Sequence, residues 1–537
     1  MLNRSSIGLI LNAHMPYVRH PEYPRFLEED WLFEAISETY LPLLRMLNNL
    51  RDEGIPFRIT MSFSPTLCSM LTDPILQGRF TNYLKLHQEL GEKEVVRCGV
   101  EDPESLPLAT MYLEAINKNL EDYFELYHCN ILIGFRDLEE SGHIDLITTS
   151  ATHAFLPLFS QYPSTVGAQI ELAVQSHINH FKCRPKGFWV PECGYFPGLE
   201  DYLKDEELAF FQLSAQALVL AEEPVKRGNY APVVCPNGVF GFARDFHLTN
   251  LVWSNVEGYP TDPEYREFYR DIGYDLPMDY IKPYIHEPEV RVFTGFKYHA
   301  ITGKGPDKVL YKPELAARKV ADHTKNFLYE IRKKGKDINK ILDRPPFYTL
   351  AFDTELFGHW WFEGIDWLES VIRKVAQTDD IVFETQLDYM ERNPEAQVLQ
   401  PALSSWGAGG YADVWANGSN VWIYRHVHKA IERMEELAIR FPDQTSLKQR
   451  FLNQAAREVL LAMSSDWPFI MHNDTFTTYA ESRIRDHLGN FNVVYENMCK
   501  NAVNTEWLVK AEKRNSVFPD IDYNIFNPHS DRNRYNG

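Results

Sequence analysis

Short apolar runs that alternate with helical segments are the feature of this chain that most restricts its fold. Each run is bounded by turn-forming or polar residues. Strands that alternate with helices in this way form parallel βαβ units. Seven or eight such strands predict a β/α barrel with long insertions, and the alternative is an open doubly wound sheet. The runs lie at 7–13, 57–63, 144–148, 187–190, 209–213, 292–296, 347–352 and 381–384.

Three stretches of different character interrupt or follow these runs. Residues 80–130 have a polar, helical pattern, and residues 221–290 are rich in Pro, Tyr and charge, as expected for loops over a cleft. From residue 421 onward the pattern is that of long amphipathic helices. We therefore expect a barrel domain over 1–395 that includes both insertions. A helical domain over 396–537 would follow it and contribute a loop to the cleft.

The charge of the chain limits its partners. A formal net charge of −21 over 537 residues argues against nucleic acid and against an anionic membrane surface, because both are bound through basic patches. No stretch approaches the roughly 18 apolar residues of a membrane span. We expect a neutral ligand, with no nucleic acid and no membrane as partner.

Cysteine usage and the N-terminal sequence both indicate a reducing compartment. The seven cysteines are scattered, odd in number and form no CxxC pair, so neither a disulfide framework nor a zinc knuckle is predicted. The apolar run at 7–11 is too short for a signal peptide and is typical of a first strand. The sequence predicts a cytoplasmic protein and gives no reason to expect a cofactor.

Two acids stand at the ends of predicted strands, each surrounded by aromatic residues. Glu192 follows the run at 187–190, and Asp353 follows the run at 347–352. Each could simply cap the next helix, but a lone buried acid is costly unless its charge is used. Cleavage of a glycosidic bond needs two carboxyl groups, one of which protonates the leaving oxygen. Glu192 and Asp353 are the candidates for that pair.

Two histidines also follow predicted strands. His14 comes after the first run, and His153 after the third. Each could be a satisfied core histidine, but a shared position at strand ends favours contacts with sugar hydroxyls. A metal-dependent deacetylase would also place His and Asp there. Because no HxxxH or HxxE pairing is present, no metal site is predicted.

A glycine-rich segment at 404–420 carries aromatic residues that are costly to expose unless something stacks on them. It has no Lys at P-loop spacing, so a phosphate-binding loop is disfavoured. Trp406 and Trp415 are instead candidates for a sugar platform, because flat rings pack on the apolar faces of sugars. Asp466 ends the second long helix, either as a helix terminator or as a ligand of hydroxyl groups.

Five separated blocks of the chain carry a family resemblance. They are LNAHMPY at 11–17, GAQIE at 167–171, WVPECGY at 189–195, AFDTELFGHWW at 351–361 and the loop at 406–415. These blocks resemble glycoside hydrolase family 57, and within it the 1,4-α-glucan branching enzymes and related α-amylases. One departure is Met15, where the family more often has Gln; the branching-type subgroup shares it.

The resemblance implies a (β/α)7 barrel with helical insertions, a C-terminal α-helical domain and a retaining mechanism without metal on an α-1,4-glucan. Glu192 would be the nucleophile and Asp353 the acid and base. In a retaining enzyme these two carboxyl groups stand about 5 to 5.5 Å apart. The remaining residues implied for substrate binding are His14, His153, Trp406, Trp415 and Asp466, with Arg266 and Gly295 from other substrate-contacting segments.

The resemblance leaves open what attacks the covalent intermediate, because a sugar 6-hydroxyl and water can use the same acid and base. Attack by the 6-hydroxyl gives α-1,6 branches, whereas attack by water gives α-amylase-type hydrolysis; a 4-α-glucanotransferase is a further alternative. In branching enzymes a tyrosine on a mobile loop shields the intermediate, and Tyr230 is a candidate for it. A glycogen-binding scaffold without catalysis is the rival of a different class.

Overall fold

The computed structural model describes residues 4–286, 289–502 and 504–529. Ten strands in this part of the chain form one sheet. The strands are β1 (Ser5–Ala13), β2 (Ile59–Phe63), β3 (Ile144–Thr149), β4 (Gly187–Trp189), β5 (Phe210–Leu213), β6 (Val233–Val234), β7 (Phe240–Ala243), β8 (Phe347–Asp353), β9 (Ile381–Phe383) and β10 (Gln397–Val398).

Helices cover the outside of the sheet and form the C-terminal part of the chain. The α-helices are α1 (Glu29–Glu34), α2 (Leu41–Asp52), α3 (Pro65–Leu71), α4 (Pro74–Glu101), α5 (Leu106–Glu121), α6 (Leu132–Glu140), α7 (Pro163–Phe181), α8 (Leu199–Asp205), α9 (Ala215–Val219), α10 (Phe246–Trp253), α11 (Ile272–Asp275), α12 (Met278–Ile281), α13 (Pro313–Ile338), α14 (Gly364–Val375), α15 (Gln386–Arg392), α16 (Trp422–Arg440), α17 (Ser446–Ala462), α18 (Asp466–Asn473), α19 (Thr477–Cys499) and α20 (Thr505–Arg514). Short π-helical segments are Ala35–Tyr40 and Asp122–Leu126, and short 3-10 segments are Leu156–Phe159, Pro191–Cys193, Tyr259–Thr261, Lys282–Tyr284, Thr354–Leu356, Ala408–Gly410 and Tyr523–Phe526.

The sheet is mostly parallel and curls round on itself. Its strand order is β10-β6-β7-β5-β4-β3-β2-β1-β8, with β9 paired to the start of β1. In this sheet order, every neighbouring pair along the run β7-β5-β4-β3-β2-β1-β8 is parallel. Strand β6 pairs antiparallel with β7. Arg244, just after β7, pairs in parallel with Thr349 of β8, and the Asp245 N–H donates to the Thr349 carbonyl at 2.9 Å. The predicted (β/α)7 barrel class is therefore confirmed, and the open doubly wound alternative is wrong.

One of the predicted strands is wrong. Residues 292–296 form no regular strand, because Gly295 has a φ of +78° and the Asp271 carboxylate takes the N–H groups of Thr294 and Gly295. The barrel instead uses β7, which lies in the segment expected to be a loop. Gly241 lets β7 approach β5, since a Cβ there would lie 2.8 Å from Leu213 Cδ1.

The interior of the barrel is filled by side chains from successive strands. Side chains alternate between the two faces of a strand, so the residue two positions after an interior residue also points inward. Ile10 and Ala351 point into the barrel, so Asn12 and Asp353, two positions later on the same strands, point inward as well. The interior cluster consists of Ile10, Ile147, Trp189, Phe210, Phe242, Phe347, Ala351 and Tyr389, all buried.

The C-terminal helices cover the end of the barrel at which the parallel strands terminate. Short β-bridges join Ala154 to Ser464 and Tyr195 to Ser404, so segments after β3 and β4 meet segments on either side of the helices α16 and α17. This agrees with the predicted C-terminal helical region. Within the described parts of the chain, no helix is both long and apolar enough to cross a bilayer.

Candidate active site

Asp353 is the last residue of β8 and lies beside Asn12 of the neighbouring strand β1. The two residues are register partners, and Asn12 Nδ2 donates to Asp353 Oδ1 at 3.4 Å. Burial raises the pKa of Asp353 to about 6, although the hydrogen bond from Asn12 and the nearby charge of His14 oppose that rise. Asp353 can therefore hold or release a proton near neutral pH.

Glu192 lies in the 3-10 turn that follows β4. Its φ of +61° is in the left-handed region, which costs free energy for a residue with a Cβ and is often found at functional sites. The Trp406 Nε1–H donates to Glu192 Oε2 at 2.8 Å, and the Ser465 hydroxyl donates to Oε1 at 3.0 Å. Both carboxyl oxygens are thus held in place from the C-terminal part of the chain.

The two acids are electrostatically linked. Burial raises the pKa of Glu192 to about 7, and the negative charge of Asp353 adds to that rise. Neighbouring carboxylates titrate as a pair, so this pair retains one proton between about pH 6 and about pH 7. One acid and one carboxylate in the same cleft are what glycosidic bond cleavage requires.

His14 and His153 stack face to face between these acids and the C-terminal helices. Their ring centroids are 3.8 Å apart and the ring planes differ by 9°. His14 Nε2 donates to Asp466 at 3.0 Å. Burial lowers the pKa of His14, but the charge and hydrogen bond of Asp466 more than offset it, so the pKa is raised.

His153 takes the opposite protonation state. Burial, assisted by the positive charge of His14, holds the pKa of His153 well below its ordinary value. Its Nδ1 lies 3.0 Å from Ser465 Oγ, and its Nε2 lies 3.5 Å from Asn12 Nδ2. Because the Ser465 hydroxyl donates to Glu192, Nδ1–H donates to Ser465 and Nε2 accepts from Asn12. This chain of contacts connects Glu192 with Asp353.

A third acid at this end of the barrel was not singled out from the sequence. Glu355 accepts hydrogen bonds from the Tyr40 hydroxyl and from the His14 N–H, the latter at 3.2 Å. Burial raises the pKa of Glu355 to about 8, so it is protonated at neutral pH. Its position two residues after Asp353 in an aromatic segment is the only signal that sequence reasoning had for it.

An aromatic wall stands beside the two acids. The Trp406 ring lies 5.1 Å from the Arg244 guanidinium carbon and 6.0 Å from the Trp253 ring. Trp253 also stacks on Phe352 at 6.5 Å and keeps 40% of its surface exposed. Trp253 and Arg244 were not predicted as site residues, because both lie in the segment that reads as an insertion.

The other tryptophan of the glycine-rich loop does not face the cleft. Trp415 is 1% exposed and stacks on Phe155 with ring centroids 4.6 Å apart. A Cβ on Gly407 would lie 2.7 Å from the Trp415 ring, so this glycine makes room for it. The structure places Trp415 as a buried support of the loop, in contrast to the predicted sugar platform.

Arg266 and Gly295 both lie near a further acid, Glu38. The Arg266 side chain is buried and lies 4.0 Å from the Phe362 ring centroid. A Cβ on Gly295 would lie 3.4 Å from Glu38 Oε1, and Glu38 Oε2 accepts from His359 Nδ1 at 2.6 Å. His359 follows Asp353 by six positions, so this cluster extends away from the end of β8. The structure gives neither residue a direct contact with Glu192 or Asp353.

Tyr230 lies at the other end of the barrel. Its carbonyl accepts from the N–H of Phe347, the first residue of β8, whereas Asp353 is the last residue of that strand. Its ring packs edge-on to Tyr348 at 6.1 Å. A residue at the start of β8 cannot cover an intermediate at its end, so the candidacy of Tyr230 as the shielding tyrosine is wrong.

No metal site accompanies these residues in the described parts of the chain. There, no group of three or more His, Cys, Asp or Glu side chains converges as metal ligands do. The histidines and acids at the strand ends bond to each other instead.

Comparison with known proteins identifies the family. A model of glycosyl hydrolase family 57 matches residues 8–401, well over half of the sequence. The chain belongs to glycosyl hydrolase family 57. A second model, the C-terminal part of 1,4-α-glucan branching enzymes, matches residues 426–526 of this family 57 chain.

Named relatives cover almost the whole family 57 chain. The 1,4-α-glucan branching enzyme of Thermococcus kodakarensis is 28% identical over 550 residues, covering 96% of this chain and 77% of the relative. The crystal structure of the α-amylase AmyC of Thermotoga maritima is 42% identical, with a TM-score of 0.92 and 97% and 99% of the two chains covered. That of the branching enzyme of Pyrococcus horikoshii is 28% identical, with a TM-score of 0.87 and 98% and 97% covered.

Proposed function

We propose that the protein is a retaining glucan branching enzyme that cleaves an α-1,4-glucosidic bond and transfers the released chain to a 6-hydroxyl. The observation that carries this proposal is the geometry around Glu192. Two donors, Trp406 and Ser465, fix its carboxylate, and the titrating acid Asp353 lies close enough to shift its pKa. The branching enzymes among the relatives, which match over nearly the full length, support the transfer to a 6-hydroxyl.

In the first step Glu192 acts as nucleophile. Its carboxylate forms an ester bond to the anomeric carbon while the bond from that carbon to the leaving oxygen breaks. Because Glu192 has the higher pKa of the two acids, this step uses the state of the pair in which the shared proton has moved from Glu192 to Asp353. Asp353 gives that proton to the oxygen, which leaves as the 4-hydroxyl of the departing glucan. The donors to Glu192 prevent its carboxylate from rotating, so the attacking oxygen is positioned in advance.

In the second step Asp353, now a carboxylate, takes the proton of the acceptor 6-hydroxyl. The acceptor oxygen bonds to the anomeric carbon, the ester to Glu192 breaks, and both acids return to their starting state. Two inversions at the same carbon give overall retention. His14, His153 and Asp466 contact the hydroxyl groups of the donor sugar in this proposal, and Arg266 and Gly295 lie further along the glucan path.

Water must be kept from the ester if transfer is to prevail over hydrolysis. Because Tyr230 is at the wrong end of the barrel, we assign that shielding to Trp253 and Trp406. Their rings lie beside each other, and Trp253 also contacts the residue before Asp353. The exposed face of Trp253 would stack on the bound sugar.

Hydrolysis is the second candidate function. It is favoured by the 42% identity to a protein named as an α-amylase. The C-terminal match to branching enzymes favours transfer instead.

We further propose that residues 1–395 act as the catalytic domain and residues 396–537 as the helical domain that supplies Trp406, Ser465 and Asp466. Residue 503 and residues 530–537 of the second range lie outside the described structure. The proposed role is in glycogen formation within the cytoplasm. The seven cysteines are all free, as expected in a reducing compartment such as the cytoplasm.

The test is incubation with amylose. New reducing ends are counted before debranching, and new branch points are counted from the further reducing ends that debranching releases. Branch points that match or exceed reducing ends support transfer, and a large excess of reducing ends supports hydrolysis. Glu192→Gln and Asp353→Asn should each abolish both products. The control Glu314→Gln, on an exposed turn of α13, should keep them.

A further inference from the structure

An open cavity of about 540 Å³ lies outside the site described above. One wall is the turn between α18 and α19 together with the first turns of α19. The other wall is Glu28, at the end of the segment that follows His14. The lining residues are Glu28, Asp474, Thr475, Phe476, Thr477, Thr478, Tyr479 and Ser482.

The lining combines an exposed aromatic face with hydroxyl groups. Phe476 keeps 42% of its surface exposed, and the edge of its ring is braced by Trp31 with centroids 5.0 Å apart. Tyr479 packs edge-on to the same Trp31 ring at 5.8 Å. Around this face stand the hydroxyl groups of Thr475, Thr478 and Ser482. An aromatic plane with hydroxyl partners at its rim is the composition of a sugar-binding surface.

Glu28 supplies a carboxylate to this cavity. It is 8% exposed, and the bond that its carboxylate takes from its own backbone N–H leaves it able to accept more. Burial raises the pKa of Glu28, although that bond and the charges of His286 and Arg483 oppose the rise. A carboxylate can accept bonds from two hydroxyl groups of one sugar and thereby regain the bonds that burial removed.

The cavity is connected to the active site by a single helix. Helix α18 begins at Asp466, which binds His14, and ends at Asn473, just before the cavity. Its eight residues span about 12 Å at 1.5 Å per residue. The cavity therefore lies about one length of α18 from Asp466, which a glucan chain extending in that direction would span.

We propose that this cavity binds a neutral α-glucan chain at a distance from the catalytic acids and so gives the enzyme a grip on long chains. The choice of α-glucan rests on the proposed function. The acids Glu28 and Asp474 and the net charge of −21 disfavour an anionic ligand such as a sugar phosphate. The aromatic face, in turn, needs a ligand with a flat apolar side, which a hydrated cation lacks.

The proposal is tested by native electrophoresis in gels that contain glycogen, together with calorimetric titration of maltotriose. Phe476→Ala should weaken retardation by glycogen about fivefold, since a stacking ring is lost. Glu28→Gln keeps the side-chain volume and should weaken it about twofold. Tyr329→Ala removes an aromatic ring from α13 that is 58% exposed and lies outside the cavity, and it should match the parent protein.

Maltotriose binding at the catalytic acids should stay the same in Phe476→Ala, which also shows that the variant is folded. Retardation of Phe476→Ala and Glu28→Gln equal to that of the parent would overturn the proposal. Equal losses for glycogen and maltotriose would overturn it too, because the cavity would then not act on long chains. A parent protein that glycogen does not retard would instead contradict the proposed function, and the glucan assignment would fall with it.

Discussion

The indole N–H of Trp406 donates to Glu192 Oε2 at 2.8 Å, although the two residues are 214 positions apart. A loop that follows the barrel thus completes a group at the end of β4. If Glu192 is the nucleophile, its reactive carboxylate exists in a defined orientation only when that loop is in place.

Trp406→Phe keeps a ring but removes the donor, so it isolates this hydrogen bond. We expect kcat to fall about 10- to 100-fold, because a hydrogen bond to a charged group contributes roughly 1.5–3 kcal/mol. The bond from Trp406 lowers the pKa of Glu192, so its loss should also move the pH optimum upward. Trp507→Phe, on α20, is the control; an unchanged kcat in Trp406→Phe would refute the role of this bond.

The pH dependence of kcat/KM should be bell-shaped. The reaction needs one proton on the Glu192–Asp353 pair, and the two pKa values are raised to about 7 and about 6. Activity should therefore rise through about pH 6, fall through about pH 7 and be greatest between them. A flat profile from pH 5 to pH 8 at constant ionic strength would show that these acids do not govern the rate.

The His14–Asp466 pair should stabilise the fold over a limited pH range. The pKa of His14 is raised, so its contribution is full below its ordinary 6.5 and is lost as the pH rises through the folded value. The pKa of Asp466 is lowered, so its contribution is present above 3.8 and is lost as the pH falls. Asp466→Asn should thus cost most near pH 5, by about 1.5–3 kcal/mol.

Thermal unfolding of Asp466→Asn and of the parent protein, measured from pH 5 to pH 9, checks this expectation. The difference in Tm should shrink as the pH rises. A difference that grows with pH would mean that His14 is not the charged partner.

Trp253→Ala should shift the products from branches toward reducing ends. Loss of an aromatic wall worth about 0.5–1.5 kcal/mol should lower the ratio of branch points to reducing ends roughly 2- to 13-fold. Phe246→Ala is the matched control, since Phe246 is 66% exposed on the same helix. If the ratio of branch points to reducing ends changes equally in both variants, Trp253 does not keep water from the intermediate.

The barrel could be predicted from the sequence, and Glu192 and Asp353 could be proposed as its paired acids, because both inferences depend on local pattern. An apolar strand that runs into an acid marks both residues, Glu192 after Pro191 and Asp353 directly after Phe352. Asn12 escaped because a single polar residue inside an apolar strand carries no signal of what lies opposite. Its partners on β8 and after β3 are set by sheet register, which one strand alone does not reveal.

The remaining errors come from long-range packing. Trp415 was predicted to be exposed because glycines surround it in the sequence. In the structure its ring is buried against Gly407, which has no Cβ to block it. The strand expected at 292–296 is absent because Asp271, more than 20 positions earlier, takes its backbone donors. Tyr230 lies at the start of β8 because its carbonyl pairs with Phe347.

The most direct test of the account is to trap the covalent intermediate. In Asp353→Asn the second step lacks its base, so a glucosyl ester formed from a glucosyl donor with a good leaving group should accumulate. After acid quenching and proteolysis, mass spectrometry should find the added sugar mass on the peptide that contains Glu192. A sugar adduct on Glu355 or any other residue, or a product of inverted anomeric configuration, would contradict the assignment of Glu192 as the nucleophile of a retaining enzyme.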